Sequence, residues 1–316
     1  MAPVFRAPVL EVEGRYRLGR PLGRGSSAVV YAARSLPPAL RDHGKREVAI
    51  KILGREQVSD PDAVARFTHE AFLASRLTHT NIVGVIDFGW VSAGQPYYVM
   101  ERHDGATLDR ALAETGPLAP ILAMQLVSDA AAGLHALHRH GIVHRDIKPS
   151  NLFCVFRKGR RPRIRLIDLG VAGVFDARRA RKLGTVDVGA AGSYGTPAYI
   201  APEQALGKRV DARADVYALA CVAYRMLTGV EPFRAATVTQ TVQAHLFEDA
   251  RPASRVNRAL PPEVDAVLAR GMEKNAQRRI DDPRRFAAEL ARAFGVTGLR
   301  TTTTVTASAG MAACFA

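Results

Sequence analysis

The chain has 316 residues, 47% of them hydrophobic and 23% charged. That balance excludes fibrous and wholly disordered classes and leaves room for one large domain or two lobes sharing a site. The net charge of +14 favours anionic partners, but the arginines are scattered, with the sharpest clusters at 157–165 and 178–182 and no aromatic residues interleaved. Docking of phosphate groups or acidic substrates is therefore expected, rather than nucleic-acid binding. The most apolar windows are 121–137, broken by Gln125, Ser128 and Asp129, and 216–227, interrupted by Arg225. Neither reaches the ~20 apolar residues of a bilayer span. Residues 1–13 hold no signal-peptide core. Cys154, Cys221 and Cys314 show no CxxC pairing, which reads as free thiols in a reducing compartment and points to the cytoplasm.

In chain order, alternating β-branched runs joined by glycine-rich turns predict strands at 16–22, 28–33 and 47–53. A helix is expected over 60–77, with Asp60 as its cap and Pro61 in its first turn. Strands at 82–88 and 96–101 complete a small sheet. The stretch 36–45, with Pro37 and Pro38, reads as a long loop. After His103, Asp104 and Gly105 the pattern turns helical: 117–141, 211–228, 262–272 and 283–294. The expected organisation is an N-terminal extension (1–13), a β-rich N-lobe (14–101), a helical C-lobe (104–295) and a flexible tail (296–316).

Four segments carry chemistry. Leu22, Gly23, Arg24, Gly25 and Ser26 lie between two strands, where glycines let backbone N–H groups approach phosphate oxygens. No Gly-Lys-Ser/Thr follows, so this is not a Walker loop. Val48, Ala49, Ile50 and Lys51 place a lysine in an apolar strand, where an unpaired amine is costly to bury; Glu70 on the following helix is its natural partner. His144 to Asn151 gathers a carboxylate, an amine and an amide within six positions. Asp146 suits a hydroxyl proton, Lys148 a transferring phosphoryl group, and Asn151 a hard cation. Asp168, at the end of an apolar strand and followed by Leu169 and Gly170, can hold a metal ion bridging two phosphates.

Together these segments resemble, over residues 16–294, the eukaryotic-type (Hanks) protein kinases, in particular their bacterial serine/threonine branch. The resemblance implies an α+β, bilobal fold and an active phosphotransferase using ATP and Mg²⁺, with Mn²⁺ as an alternative. By analogy, Leu22 to Ser26 cover the phosphates, Lys51 grips them, Glu70 orients Lys51, Asp146 is the base, and Asn151 and Asp168 hold the metal. The resemblance puts the hinge at Glu101 to His103, after Met100, with Val30 and Ala49 above the adenine and Phe153 below it. Glu203 is expected to pair with Arg279, and Asp215 to steady the loop around Asp146. Lys148 and Thr196 favour serine and threonine over tyrosine acceptors, so the partners are protein substrates bearing Ser or Thr.

Three positions depart from the family pattern: Ala28 replaces the third glycine of the loop, Leu169 an aromatic, and Ala220 a glycine. Arg145, directly before the base, is the mark of kinases switched by phosphorylation of their activation segment; Thr185 and Ser193 are the expected acceptors, in an arrangement compatible with self-association. The basic stretch 157–165 is expected to be a solvated hairpin tip. A pseudokinase scaffold is the alternative, but it would have lost one of Lys51, Asp146, Asn151 or Asp168.

Overall fold

The structure is a computed structural model that describes residues 11–25, 27–91, 94–169, 173–174 and 197–295. Its described residues fall into two compact units, one within Met1–Thr78 and Val83–His103, the other within His79–Ile82 and Asp104–Ala316.

The first unit is built on a six-stranded antiparallel sheet in the order β1-β2-β3-β4-β6-β5. Its strands are β1 (Glu11–Val12), β2 (Tyr16–Arg24), β3 (Ala28–Ser35), β4 (Glu47–Leu53), β5 (Val85–Trp90) and β6 (Pro96–Glu101). Alternation drives one face inward: Tyr16, Ala33, Val48, Ile50, Tyr97 and Val99 form one buried cluster. Helix α2 (Pro61–Ser75) opens where predicted, the Asp60 carboxylate accepting from the Asp62 N–H at 2.9 Å with Pro61 in the first turn. It buries Ala63, Phe67, Glu70, Ala71 and Ala74 at helical spacing.

The expected loop at 36–45 is instead a helix, α1 (Pro37–His43). Its prolines occupy the first turn, where a missing N–H costs nothing. Gly44, at φ +69°, closes it by donating to the Leu40 carbonyl at 2.9 Å. Ala39 is buried in the sheet cluster, so the insertion is packed structure.

The second unit is mainly helical. Helix α3 (Leu108–Thr115) precedes α4 (Pro120–Arg139), and α5 (Pro202–Ala205), α6 (Arg213–Thr228), α7 (Val238–Phe247), α8 (Ala253–Val256), α9 (Glu263–Gly271) and α10 (Pro283–Ala293) follow. Strands β7 (Gly105–Thr107), β9 (Leu152–Val155) and β10 (Arg163–Leu166) form one small sheet, and β8 (Ile142–Val143) pairs with β11 (Gly173–Val174).

Helix α6 has all but three of its sixteen residues buried, Arg213, Arg225 and Thr228 being the exceptions. The extra methyl of Ala220 is accommodated across the interface: a Cβ on Gly271 would lie 2.7 Å from it. The glycine expected on one helix thus sits on the facing one. At 20 residues, α4 is long and apolar enough to cross a membrane by length and composition alone, and 67% of its apolar window is buried, as in a core helix of a folded domain. Gly133 of α4 passes so close to the Asn81 carbonyl and Leu166 that a Cβ would come within 2.9 Å of both.

Candidate active site

In the first unit, Lys51 and Glu70 are brought together by β4 and α2. Nζ of Lys51 donates to Oε1 and Oε2 of Glu70 at 2.9 and 3.1 Å. The Tyr98 hydroxyl donates to Oε1 at 2.6 Å, fixing the carboxylate from β6. The ammonium also lies 5.5 Å from the Tyr98 ring centroid and 5.9 Å from that of Phe67. An aromatic floor and a doubly held carboxylate therefore keep this cation at one place on the sheet.

On the same sheet, Gly23 pairs with Val30 and Arg24 with Val29, and the Gly25 N–H closes the turn on the Ala28 carbonyl at 2.9 Å. A Cβ on Gly23 would meet nothing within 4 Å, and one on Gly25 only the Ala28 oxygen at 3.7 Å. Packing within the protein therefore does not demand glycine there; close approach of a bound phosphate would. Ala28, the expected departure, is buried, with its backbone paired to Leu53. Leu22, Gly23, Arg24 and Gly25 are exposed. Ala49 is buried and pairs with Met100, while Val30 pairs with Lys51. Glu101 and the residue after it are tied back to the start of β4: Lys45 reaches Glu101 at 3.1 Å, Arg102 reaches Glu47 at 2.8 Å, and His103 meets Glu101 at 3.4 Å.

In the second unit, Asp146, Lys148 and Asn151 converge. Nζ of Lys148 lies 2.7 Å from Oδ2 of Asp146. Asn151 donates its side-chain N–H groups to Asp146, at 2.8 Å to the carbonyl and 3.0 Å to Oδ2. The Asn151 amide is thereby oriented with its oxygen pointing away from Asp146, the hard donor a divalent cation prefers. The Ile167 N–H donates to the Asn151 carbonyl at 3.0 Å, linking this loop to the segment that carries Asp168. Among the described residues no group of three or more His, Cys, Asp or Glu side chains could hold a metal. One amide and one carboxylate completed by phosphate oxygens is how Mg²⁺ is commonly bound, so this donor set fits it. Phe153 lies on β9 opposite Thr107 and Arg165, and Leu169 is buried.

Two backbone outliers mark the loop. Arg145 at φ +66° and Asp168 at φ +64° adopt the left-handed conformation that non-glycine residues avoid. Such strain persists only where surrounding structure over-determines it, and around Arg145 that structure is visible. Asp215 of α6 accepts from the backbone N–H of His144 and of Arg145, both at 2.9 Å. Nε2 of His138 on α4 meets Oδ2, the oxygen that also receives the His144 N–H, at 2.7 Å. The Gln204 amide donates to the Arg145 carbonyl at 2.8 Å, while its oxygen receives the Ala201 N–H at 3.2 Å. Burial alone would raise the Asp215 pKa, but the His138 hydrogen bond, the positive potential of His138 and His144 and the His144 N–H together hold it below the usual carboxylate value.

The Arg145 guanidinium crosses Gly173, where a Cβ would come within 2.0 Å of Cζ. Its Nε–H is buried without a partner among the described residues. His138 and Gln204 are positioning residues that sequence reasoning missed. Gln204 adjoins the Glu203 motif, whereas His138 carries no local signal.

Below this loop, Arg279 forms a fork on Glu203, Nη1 to Oε1 at 2.7 Å and Nη2 to Oε2 at 2.9 Å. Its other N–H groups go to the carbonyls of Glu273, Arg213 and Lys274. Ser26, Gly170, Thr185, Ser193, Thr196, the 178–182 cluster and the tail lie outside the described residues.

The chain is 38% identical over 281 residues to serine/threonine-protein kinase PknB of Mycolicibacterium smegmatis, an alignment covering 88% of this chain and 43% of that protein. It is 36% identical to serine/threonine-protein kinase Pkn1 of Myxococcus xanthus, with 88% of this chain and 38% of that one covered. The chain thus spans less than half the length of the curated relatives it matches. Among solved structures, a mutant of the Mycobacterium tuberculosis PknI kinase domain superposes with a TM-score of 0.68 at 26% identity, covering 93% of this chain and 100% of that one. The family model described as protein kinase domain matches residues 16–290, and the chain belongs to that family, with its α+β kinase fold.

Proposed function

We propose that the protein is an active kinase that transfers the γ-phosphoryl group of ATP to serine or threonine hydroxyls of protein substrates. The observation that carries this reading is the convergence of Lys148 and Asn151 on one oxygen of Asp146, at 2.7 and 3.0 Å, in a loop pinned by Asp215. Asp146 accepts the hydroxyl proton of the acceptor. Lys148 supplies positive charge beside that proton transfer, where charge develops on the phosphoryl oxygens. Lys51, steadied by Glu70, grips the α- and β-phosphates, and the turn from Leu22 to Ser26 presents N–H groups to them. Asn151 and Asp168 would hold Mg²⁺, with Mn²⁺ as a substitute; when bound, the ion neutralises charge on the β- and γ-phosphates.

Val30, Ala49 and Phe153 contact the adenine, with Met100, Glu101 and His103 along its edge, and Thr196 orients the acceptor. Kinase relatives and the retention of Lys51, Asp146, Asn151 and Asp168 favour an enzyme over a nucleotide-binding scaffold. The buried free thiols of Cys154 and Cys221, the former pushed up to about 12 by burial and by Asp129, accord with a reducing cytoplasm. Self-association and phosphorylation of Thr185 or Ser193, read out through Arg145, would regulate the site.

The test is incubation with γ-labelled ATP, Mg²⁺ and a generic basic protein, followed by phosphoamino-acid analysis. Label on serine or threonine that is lost in Asp146→Asn is expected. Label on tyrosine, or none from the unaltered protein, would refute the reading.

A further inference from the structure

The basic stretch 157–165 is not the fully solvated hairpin tip that its composition suggests. Strands β9 and β10 pair in antiparallel register, with Val155 opposite Arg163, and the Arg160 N–H closes a tight turn on the Arg157 carbonyl at 3.0 Å. Gly159 sits at φ +72°, the conformation a type II turn requires at its third position.

Arg161 faces inward: its guanidinium forks onto the buried Asp129 of α4, Nη1 to Oδ2 at 2.7 Å and Nη2 to Oδ1 at 3.0 Å. The Ile164 N–H adds a third bond to Asp129 at 3.2 Å, and Arg163 lies at 3.9 Å from it. Asp129 is thereby committed to the base of the hairpin. The tip it supports carries Arg157, Lys158 and Arg160, all exposed and, among the described residues, without an ion pair or hydrogen bond from their side chains. Three like charges on one short turn repel one another, and the anchor holds them together against that repulsion.

We propose that this hairpin tip is a docking surface for an acidic segment of a partner protein, engaged by Arg157, Lys158 and Arg160 with Arg163 at its edge. A cationic turn closed by its own backbone bond suits a carboxylate-rich extended chain, because little loop freedom remains to be lost on binding. The tip is a tight turn between two short strands rather than an amphipathic helix, and residues 157–165 include no aromatic ring, which favours a protein segment over a membrane or a nucleic acid. Recruitment of acceptors through this surface rests on the phosphotransfer reading above; the binding itself does not.

The experiment uses the full chain and the triple variant Arg157→Ser, Lys158→Ser, Arg160→Ser, whose side chains are exposed and, among the described residues, form no ion pair or hydrogen bond. A fluorescent peptide rich in Asp and Glu and free of Ser, Thr and Tyr is titrated at several salt concentrations. A neutral peptide, vesicles containing anionic lipid and a single-stranded oligonucleotide are titrated alongside. Binding of the acidic peptide that weakens steeply with salt, and is lost about tenfold or more in the triple variant, is expected from three exposed charge contacts. Phosphotransfer to an acceptor lacking acidic residues should be the same in both proteins. Equal acidic-peptide affinity in the two, or a loss confined to vesicles or oligonucleotide, overturns the proposal. Because the peptide has no acceptor hydroxyl, a dead enzyme that still binds it separates the two readings.

Discussion

Two ion pairs, one in each unit, look alike in sequence terms and differ in what surrounds them. Glu203 and Arg279 form a closed unit: the guanidinium is 0% exposed and makes five hydrogen bonds, two to the carboxylate and three to backbone carbonyls. Lys51 and Glu70 form a pair of another kind, with the ammonium side chain 14% exposed, donating twice to a carboxylate that Tyr98 also holds and lying beside the rings of Tyr98 and Phe67. A planar fork saturated by carbonyls has no capacity for another partner and serves architecture. An ammonium on an aromatic floor is a compact charge that can meet a ligand. The difference teaches that burial alone does not separate a site from a scaffold; the kind of cation, a planar fork or a compact ammonium, does.

This contrast can be broken from either side. The largest loss of stability is expected from Arg279→Ala, which leaves Glu203 buried and uncompensated at a cost of about 3–5 kcal/mol. Thermal or denaturant unfolding should register it together with loss of activity. Lys51→Met should cost less, about 1–2 kcal/mol, because Glu70 keeps the Tyr98 hydroxyl and can take up a proton. Its phosphotransfer should nonetheless fall by ~10²–10³, as when a charge-stabilising donor is removed. Equal destabilisation by the two variants would erase the distinction.

Asp215→Asn sharpens the comparison within the second unit. An amide oxygen replaces one carboxylate oxygen and an NH₂ the other, so a backbone N–H of the loop is left facing a donor: that of Arg145, or that of His144 together with the His138 contact. A cost of about 1–3 kcal/mol is expected, with a fall in kcat at little change in the KM for ATP. A change in KM alone would show that Asp215 does not act through the loop around Asp146. The smallest effect is expected from Tyr98→Phe, which removes one bond to Glu70: about 1 kcal/mol, with a fewfold loss of rate that a raised Mg-ATP concentration does not restore.

Much of this was legible in the sequence. Strand 47–53 and the Asp60 cap fell where periodicity and cap chemistry put them, and motif order carried the family. What escaped depends on contacts between distant residues. Pro37 and Pro38 read as loop because composition does not show that both lie in a first turn, with Gly44 available as the C-cap. The anchoring of Arg161 needed Asp129, 32 residues away, and the role of His138 needed Asp215, 77 residues away. The left-handed backbone at Arg145 has no glycine to announce it, since the contacts of its N–H with Asp215 and of its carbonyl with Gln204 impose it.

The proposed function divides the work between the two units, Lys51 holding the nucleotide's phosphates and Asp146 taking the acceptor's proton. Its most direct measurement compares Lys51→Met and Asp146→Asn by titration with a fluorescent ATP analogue and Mg²⁺, alongside single-turnover transfer to a serine- or threonine-bearing protein. Nucleotide affinity close to that of the unaltered protein in Asp146→Asn, with transfer reduced ~10²–10⁴-fold as for loss of a general base, is the predicted result. Undiminished transfer in Asp146→Asn would contradict the account.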